Sequence, residues 1–454
     1  MTYKGEDALI EIYHHKYTFP KVLTLGFVFI ILIGTLLLLL PISTKSGHTD
    51  FMTALFTSTS ATCVTGLSVV HTSTHWSFFG QLIIAVLMEV GGLGFMTFAV
   101  LMSRLIRQRM QMSTKLLAKE AWNFDNLSQV NVIFLILRLS IAIQLLGSAL
   151  LLVKFYPRYG LAKGIWYSIF HSIAAFCNAG FDLFDHGLAE YINDPYVLGV
   201  LAMLIIAGSL GFLVWKDILD YHRTHRLSLH TILALRTGAI ITILSIIVYF
   251  ITEKNLAQLS NHVNFGERIV NTIFMAITPR TAGLTTFSYT DLSATGLAFT
   301  TLLMFIGGTP GSTAGGIKTT TIGILTIQTI ATLRGKRDTT LAHRRFTQEN
   351  IFRALTLLFV ALFILFIAIL ILIETQTLPE RNPLGSIVFE AVSAFGTTGI
   401  SVGVTQNLNL IGKLIIIFLM FIGRVGIFTV MFSIFNTRKK PENYRYPKES
   451  VLIG

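Results

Sequence analysis

TCVTGL at residues 62–67 is the first of four stretches with one pattern; the others are FCNAGF at 176–181, PRTAGL at 279–284 and FGTTGI at 395–400. These stretches are named turns 1 to 4. In each, Thr or Ala precedes a glycine and a large apolar residue follows it. The glycines are separated by 114, 103 and 116 residues and are Gly66, Gly180, Gly283 and Gly399. This regular spacing indicates one structural unit that occurs four times.

Each turn is preceded by a short segment that begins with phenylalanine. Phe56, Phe170 and Phe389 stand ten residues before their glycines, and Phe274 stands nine residues before its own. Small residues fill most of the gap, and the segment is too short or too polar to cross a membrane alone. Long apolar runs flank it on both sides. We therefore expect a unit of span, short re-entrant helix, glycine turn and span.

The composition places these units in a membrane. Of the 454 residues, 53% are hydrophobic and only 13% are charged, whereas soluble domains carry roughly a quarter charged residues. An ordinary soluble enzyme is excluded. Eight apolar runs long enough to span a bilayer lie at about 22–40, 79–103, 132–153, 196–215, 232–251, 294–330, 354–373 and 410–435. The sequence predicts an all-α polytopic membrane protein with eight spans, arranged as a pseudo-tetrameric cation pore.

The apolar runs also define the domain boundaries. A cytosolic N-terminus is expected at 1–20, and a cytosolic tail at 437–454. Between them we predict four repeats, at 21–104, 131–219, 231–331 and 351–436.

The distribution of basic residues sets the orientation. The termini and the three long loops on their side hold 23 Lys and Arg residues, whereas the opposite loops hold 8. Cytoplasmic loops carry the excess of Lys and Arg, so both termini should be cytoplasmic. The net charge of +12 follows mostly from this asymmetry and gives no reason to expect a nucleic acid partner.

The four turns have the chemistry of a filter for monovalent cations. Glycine permits backbone angles closed to other residues, so main-chain carbonyls can replace the water shell of an ion. Divalent ions favour carboxylate ligands, and the four turns contain no Asp or Glu. Potassium held by filter carbonyls is therefore the predicted ion. The predicted filter residues are Val64, Thr65, Gly66, Asn178, Ala179, Gly180, Thr281, Ala282, Gly283, Thr397, Thr398 and Gly399.

Two further features concern charge and helix breaks. The run at 294–330 contains six Gly or Pro residues between 307 and 316, so its helix should break there, and irregular backbone at membrane depth must be packed in protein or line water. Arg424 is a charge at membrane depth and should face a cavity. Arg280 lies three residues before Gly283, and we predict that it turns behind the filter to pair with Glu390 as a structural brace.

Three pieces of sequence support a family resemblance: Ala179-Gly180-Phe181 after Phe170-His171-Ser172, Arg280-Thr281-Ala282-Gly283, and Gly315-Gly316-Ile317-Lys318. From about residue 20 to its tail, the chain resembles the KtrB-type membrane subunit of the Ktr/Trk/HKT potassium-uptake superfamily. The resemblance implies a bacterial plasma-membrane protein whose filter lies at the four glycines. Plant relatives that admit Na⁺ have serine at the first of these positions, so four glycines argue for K⁺.

The resemblance also implies how the pore is controlled. The segment 307–316 is similar to the family's intramembrane gating loop, and Arg424 to its pore arginine. A passive kink is the alternative, although it would need only one Gly or Pro. The predicted gate residues are Gly307, Gly308, Gly311, Ser312, Thr313, Gly315, Gly316, Lys318 and Arg424.

The implied partners are a second copy of the chain, as a homodimer, and a cytosolic ring of KtrA-type regulatory subunits. Any nucleotide would bind to that ring, and no cofactor is expected on this chain. The basic loops at 104–120 and 334–353 and the tail at 436–454 are candidate contacts, or simply carry the positive charge of the cytoplasmic side.

The alternatives to a potassium pore are a symporter and an enzyme. A symporter that couples K⁺ to Na⁺ or H⁺ stays open, because Glu89 lies within a span and could carry a proton or pair with Lys318 or Arg424. An enzyme is not expected, since the sequence has no recognisable catalytic cluster. His171 stands alone in its short helix and is assigned a hydrogen-bonded packing role, and Cys63 and Cys177 are expected to pack as small apolar residues.

Overall fold

The computed structural model describes residues 19–105, 129–185, 187–254, 256, 259, 263–336, 338–377, 382–434, 447 and 449, with the backbone alone at 94–105, 129–135 and 434. The predicted N-terminus up to residue 18, the basic loop at 106–120 and nearly all of the tail at 437–454 lie outside these residues.

The described chain is almost entirely helical. Its helices are α1 (Phe19–Leu38), α2 (Phe51–Thr62), α3 (Thr72–His75), α4 (Phe78–Leu105), α5 (Gln129–Cys177), α6 (Pro195–Ser209), α7 (Phe212–Thr224), α8 (Leu229–Thr252), α9 (Phe265–Ile277), α10 (Ala294–Phe305), α11 (Thr319–Leu333), α12 (Gln348–Thr375), α13 (Pro383–Gly396), α14 (Leu410–Val425) and α15 (Ile427–Ile434). Short 3₁₀ helices lie at Pro41–Ser43, Gly187–Tyr191, Tyr289–Asp291 and Thr405–Asn407, and strands β1 (Thr340–Leu341) and β2 (Arg344–Arg345) pair antiparallel.

Fewer helices than the eight predicted spans are regular membrane crossings. Within the described residues, four helices are long and apolar enough, or six if two bent pairs each count as one span. The pairs are α6 with α7, bent by 93°, and α14 with α15, bent by 101°. These bends, which were not predicted, occur at Gly211 and Gly426, where φ is +78° and +93°.

The predicted break in the run 294–330 is present. Helix α10 ends at Phe305 and α11 begins at Thr319, because the intervening glycines and proline do not sustain a helix. Helix α5 combines the predicted span at 132–153 with the second short helix. Gly160, with φ +76° and ψ 178°, separates the two parts.

The repeated unit recurs along the chain as a long helix, a short helix, a turn and a second helix. The short helices are α2, the part of α5 after Gly160, α9 and α13, and one of turns 1 to 4 follows each. Asp50 caps α2 by accepting a hydrogen bond from the Met52 amide, and Pro383 occupies the first turn of α13, where its missing N–H costs nothing.

The apolar interior and exterior suit a multi-pass membrane protein. Two buried clusters, one containing Trp76 and Phe170 and the other Tyr249 and Phe389, fill the spaces between the helices. Large apolar side chains also cover the outer faces, as with Phe359, which is 73% exposed on α12. Lipid tails are as apolar as the core, so such faces are stable in a bilayer.

Asp194 anchors the start of α6 in the outer loop. Its carboxylate accepts hydrogen bonds from the amides of Tyr196 and Val197 at 3.0 and 3.2 Å and pairs with Lys154 at 2.9 Å. Burial alone would raise its pKa, but the hydrogen bonds from Lys154 and the two amides outweigh burial and lower the pKa of Asp194.

We expect Asp194→Ala, which removes the acceptor for both amides, to lower stability by about 1 kcal/mol, which is a shift in Tm of roughly 2 °C. Because the pKa of Asp194 is lower in the folded protein, this stabilisation is complete above pH ~4 and is lost as the pH falls further. Thermal unfolding of detergent-solubilised protein across pH measures it. Asp185→Ala, at an exposed site in the same connection before α6, is the control. An unchanged Tm for Asp194→Ala at pH 7 would contradict this role.

Candidate functional site

The four turns share one unusual backbone conformation. The residue two positions before each glycine has a positive φ, with values of 55°, 57°, 73° and 49° at Val64, Asn178, Thr281 and Thr397. The glycines themselves have φ values of 90°, 68°, 72° and 85°. A left-handed residue other than glycine costs about 1–2 kcal/mol. Such strain persists only where the surroundings enforce it, and it clusters at functional sites.

Turns 1, 2 and 3 contact one another through their glycines. A Cβ atom on Gly66 would lie 2.6 Å from the carbonyl oxygen of Ala179, which is too close for a real side chain. A Cβ on Gly180 would lie 3.2 Å from the carbonyl oxygens of both Thr65 and Ala282. Turn 2 therefore lies between turns 1 and 3.

Turn 4 closes the series. A Cβ on Gly283 would overlap the carbonyl oxygen of Thr398, and a Cβ on Gly399 would overlap that of Thr65. The turns thus contact one another in the cyclic order 1, 2, 3, 4 and back to 1. In every case the neighbour is the main-chain oxygen of the residue just before a glycine.

This arrangement brings neutral oxygens together. Asp and Glu are missing from all four turns. The buried hydroxyls of Thr65, Thr281 and Thr397 have no hydrogen-bond partner in the described protein, although buried polar groups are rarely left unpaired. Closely spaced oxygens without a counter-charge can replace the hydration shell of a monovalent cation.

Arg280 turns away from the glycines, towards α8. Its Nη1 donates a hydrogen bond to Thr242 Oγ1 at 2.9 Å, with a longer contact of 3.4 Å to the carbonyl oxygen of Gly238. The predicted pair between Arg280 and Glu390 is therefore wrong. Thr242 and Gly238 were not anticipated, because sequence spacing does not reveal which face of a neighbouring helix lies behind a turn.

Glu390 instead binds the segment that follows its own turn. Its carboxylate accepts hydrogen bonds from the amides of Val402 and Val404 at 3.2 and 3.1 Å. The hydroxyls of Ser401 and Thr405 also donate to it. These four donors compensate the carboxylate for its burial, so Arg280 is not needed as a counter-ion.

The predicted gate segment 307–316 lies against turn 2. Thr313 Oγ1 donates to the carbonyl oxygen of Phe176 at 3.0 Å and accepts from Asn178 Nδ2 at 2.8 Å. The same segment reaches turn 4, since a Cβ on Gly315 would overlap the side chain of Thr397. The residues predicted as filter and gate are thus in direct contact.

The bend between α6 and α7 holds the other side of this segment. The Thr309 amide donates to the carbonyl oxygen of Ser209 at 3.1 Å, and its hydroxyl donates to that of Leu210 at 2.5 Å. The Phe212 amide donates to the carbonyl oxygen of Gly311 at 3.0 Å. The bend therefore supplies main-chain partners for the irregular backbone, as backbone at membrane depth requires.

Arg424 joins the gate segment to α4. Its guanidinium is buried and donates to the carbonyl oxygens of Thr313, Gly91 and Gly92, with distances of 2.5 and 2.9 Å to the two glycines. These described partners are neutral carbonyls, so none of them offsets a positive charge on the arginine. Lys318 similarly donates to the carbonyl oxygen of Ala314 at 2.6 Å.

Glu89 does not pair with Lys318 or Arg424, the partners that its sequence position suggested. Its carboxylate accepts hydrogen bonds from Gln144 Nε2 at 3.0 and 3.2 Å and contacts Cys177 Sγ at 3.4 Å. Pairing with Lys318 or Arg424 is therefore wrong. Cys63 and Cys177 are buried free cysteines, as expected.

Several features of this site were not predicted. The left-handed conformation two residues before each glycine could not be recognised from residue type, because Val, Asn and Thr occupy these positions. Of these, only Asn is a type that commonly adopts a positive φ. The bends were detectable in principle at Gly211 and Gly426, each a glycine inside an apolar run.

A family model described as "TrkH: Cation transport protein" matches residues 21–443. The chain is 46% identical over 437 residues to the potassium/sodium uptake protein NtpJ of Enterococcus hirae, which covers 96% of this chain and 97% of the relative. It is 40% identical over 444 residues to the Ktr system potassium uptake protein B of Bacillus subtilis, covering 97% of each.

A solved structure supports the same fold. The crystal structure of the potassium transporter TrkH from Vibrio parahaemolyticus matches with a TM-score of 0.67, covering 92% of this chain and 86% of that one. The two sequences are 20% identical, so this likeness concerns the fold alone.

Proposed function

Since the chain belongs to the TrkH family of cation transport proteins, and is thus a transport protein and not an enzyme, we propose that it is the potassium-translocating subunit of a Ktr-type uptake system. Its relatives named for potassium uptake support this substrate. Potassium would enter through a channel-like pore whose filter is the ring of turns 1 to 4. The four repeats would surround this ring as a pseudo-tetramer.

The observation that carries the proposal is the cyclic contact of the four turns. Each turn has the same left-handed backbone positions, and each glycine approaches the main-chain oxygen of a neighbouring turn. Carbonyl oxygens in a ring suit a weakly hydrated monovalent cation, whereas a divalent cation would need carboxylates. The short helices before the turns direct their negative C-terminal ends towards the same place.

The gate segment 307–316 and Arg424 would control passage on the inner side of the filter. The segment is hydrogen-bonded to Phe176 and Asn178 beside turn 2, and the Arg424 guanidinium holds it to α4. A buried positive charge at this position also opposes the passage of a cation. Opening would require the segment to release these contacts.

The setting of the pore follows from the same family. We place the chain in the bacterial plasma membrane with both termini in the cytoplasm, as a homodimer with a cytosolic KtrA-type ring that binds the regulatory nucleotide. This chain itself would bind no cofactor. The β1–β2 hairpin presents exposed Arg344 and Arg345 on the predicted cytoplasmic side, which gives such a ring a basic contact surface.

Uptake of ⁸⁶Rb⁺ into proteoliposomes that contain the purified protein tests the function. We expect K⁺ and Rb⁺ to compete with the tracer and Na⁺ to compete poorly. Gly66→Ser should weaken discrimination against Na⁺ by ~10-fold, because its Cβ must displace the Ala179 carbonyl. Equal competition by all alkali cations in the unmodified protein would contradict a potassium filter.

A symporter is the second candidate, and two observations favour it. One relative is named for potassium and sodium uptake, and Glu89 is a carboxylate within α4 that could carry a proton. The same vesicles distinguish the two functions. A pore transports Rb⁺ down its own gradient without Na⁺ or a pH gradient, whereas a symporter stops when the coupling ion is removed.

A further inference from the structure

The short helices before the turns can be aligned on their phenylalanines. The residues one position after Phe56, Phe170, Phe274 and Phe389 are equivalent, and they are Thr57, His171, Met275 and Glu390. The residues four positions after the phenylalanines are Ser60, Ala174, Thr278 and Ser393. These two positions are called the first and second anchor positions.

At the first anchor position, repeats 2 and 4 each make the same kind of hydrogen bond, in which the side chain accepts from an amide just after the turn. His171 Nε2 accepts from the amide of Leu183 at 3.3 Å, and Glu390 Oε1 accepts from the amide of Val402 at 3.2 Å. Leu183 and Val402 each lie three residues after their filter glycine. His171 and Glu390 are both almost completely buried, at 0% and 1% exposure.

The surroundings of His171 define its role. Its Nδ1 lies 2.7 Å from the carbonyl oxygen of Tyr167. A carbonyl only accepts, so Nδ1 carries the proton and Nε2 is free to accept from Leu183. The ring also stacks on Phe184, with centroids 4.2 Å apart. The imidazole is thus fixed as a neutral acceptor.

Turns 1 and 3 are anchored differently, from the second anchor position. Ser60 Oγ accepts from the amide of Gly66 at 3.0 Å, and Thr278 Oγ1 donates to the carbonyl oxygen of Leu284 at 2.5 Å. In both cases the hydroxyl binds the turn itself and not the segment after it.

Among the described residues, no repeat has both kinds of anchor. At the second anchor position of turns 2 and 4, Ala174 has no hydroxyl, and Ser393 Oγ has no hydrogen-bond partner among the described residues. At the first anchor position of turns 1 and 3, Met275 offers no strong acceptor, and Thr57 Oγ1 has no hydrogen-bond partner in the described part of the chain. The anchors therefore alternate around the ring.

Turns 2 and 4 are opposite each other, because each of them contacts turns 1 and 3. Resting on the proposed function, we propose that His171 and Glu390 are a matched pair of positioning residues, which hold the outer ends of turns 2 and 4 from opposite sides and thereby set the discrimination between K⁺ and Na⁺. Two opposite turns of the four-turn filter would then be held by this kind of anchor.

Two substitutions remove these anchors with little change in volume. His171→Phe keeps a ring against Phe184, and Glu390→Met introduces the residue that repeat 3 has at this position. In the ⁸⁶Rb⁺ assay, each should lower the preference for K⁺ over Na⁺ by ~10-fold. His171→Gln and Glu390→Gln retain an acceptor oxygen and should restore the preference.

Matched controls come from the other two repeats. Thr57→Val and Met275→Leu alter the same position where no anchor exists, and we expect both to transport with unchanged preference. An unchanged preference in both His171→Phe and Glu390→Met, or an equal loss in Thr57→Val, would overturn the proposal. A lack of potassium preference in the unmodified protein would instead refute the proposed function.

If the anchor variants do not fold, amide hydrogen exchange of the unmodified protein tests whether the anchors alternate between the repeats. The amides of Leu183 and Val402 should exchange more slowly, by ~10-fold or more, than those of Val69 and Thr286 at the equivalent places in turns 1 and 3. Equal exchange at all four amides would overturn the alternation of anchors.

Discussion

Gly283→Ala and Gly399→Ala are expected to reduce K⁺ uptake by ~100-fold or more, since the carbonyl ring can no longer close around the ion. A Cβ at Gly283 would overlap the Thr398 carbonyl, and one at Gly399 the Thr65 carbonyl. Each glycine also has a left-handed backbone, which costs an alanine about 1–2 kcal/mol. The steric overlap adds to this cost and falls on the carbonyl oxygens of the proposed filter.

The loss of uptake should be smaller at a glycine where an added Cβ has more room. Gly180 is the least crowded of the four glycines, with its closest carbonyl oxygens 3.2 Å from an added Cβ, so Gly180→Ala should retain more uptake than the other two. Gly47→Ala is the control, because Gly47 has φ +76° but, apart from its chain neighbours, no described atom within 4 Å of its Cβ position. Tracer uptake at equal amounts of reconstituted protein measures all four. Wild-type uptake by Gly283→Ala and Gly399→Ala would show that the ring is not the pathway.

Loosening the gate segment should have the opposite effect. Arg424→Gln removes charge-assisted hydrogen bonds to Thr313, Gly91 and Gly92, each worth about 1.5–3 kcal/mol. If loss of one such contact shifts the closed state by about 2 kcal/mol, the open population rises by ~30-fold. We therefore expect a large increase in K⁺ flux, also because a barrier charge disappears.

Deletion of residues 309–316 tests the gate without changing a charge. The ends of this segment already meet, since the Gly307 amide donates to the carbonyl oxygen of Ile317 at 2.8 Å, so the shortened chain can close. We expect flux to rise at least as much as in Arg424→Gln. Lys318→Met, which removes a single contact to Ala314, should have a smaller effect. Unchanged flux in the deletion and in Arg424→Gln would make the segment a passive kink.

The backbone features were the most predictable from sequence. The repeated pattern around Gly66 and its three equivalents located all four turns, because only glycine combines a left-handed φ with such close packing. The break after Phe305 followed from the density of Gly and Pro in one apolar run. Both depend on local chain properties that residue type reports directly.

Side-chain partners were predicted poorly. Arg280 and Glu390 were paired by charge, yet both are bonded by nearby neutral groups. Glu89 similarly found Gln144. At membrane depth many backbone and amide groups can satisfy a charge, and the choice depends on how the helices pack. A glycine inside an apolar run marks Gly211 and Gly426 as sites where a bend can occur, but the packing of Gly211 against Thr309 and Pro310 is a long-range contact that no local pattern records.

The most direct test of the central claim is to locate the ion. Crystals grown in RbCl, with data collected at the rubidium absorption edge, would give anomalous difference density for Rb⁺ as a substitute for K⁺. We predict a peak on the axis of the ring, within coordination distance of the carbonyl oxygens of Thr65, Ala179, Ala282 and Thr398. Strong Rb⁺ density elsewhere in the membrane region, with none between the four turns, would contradict the claim.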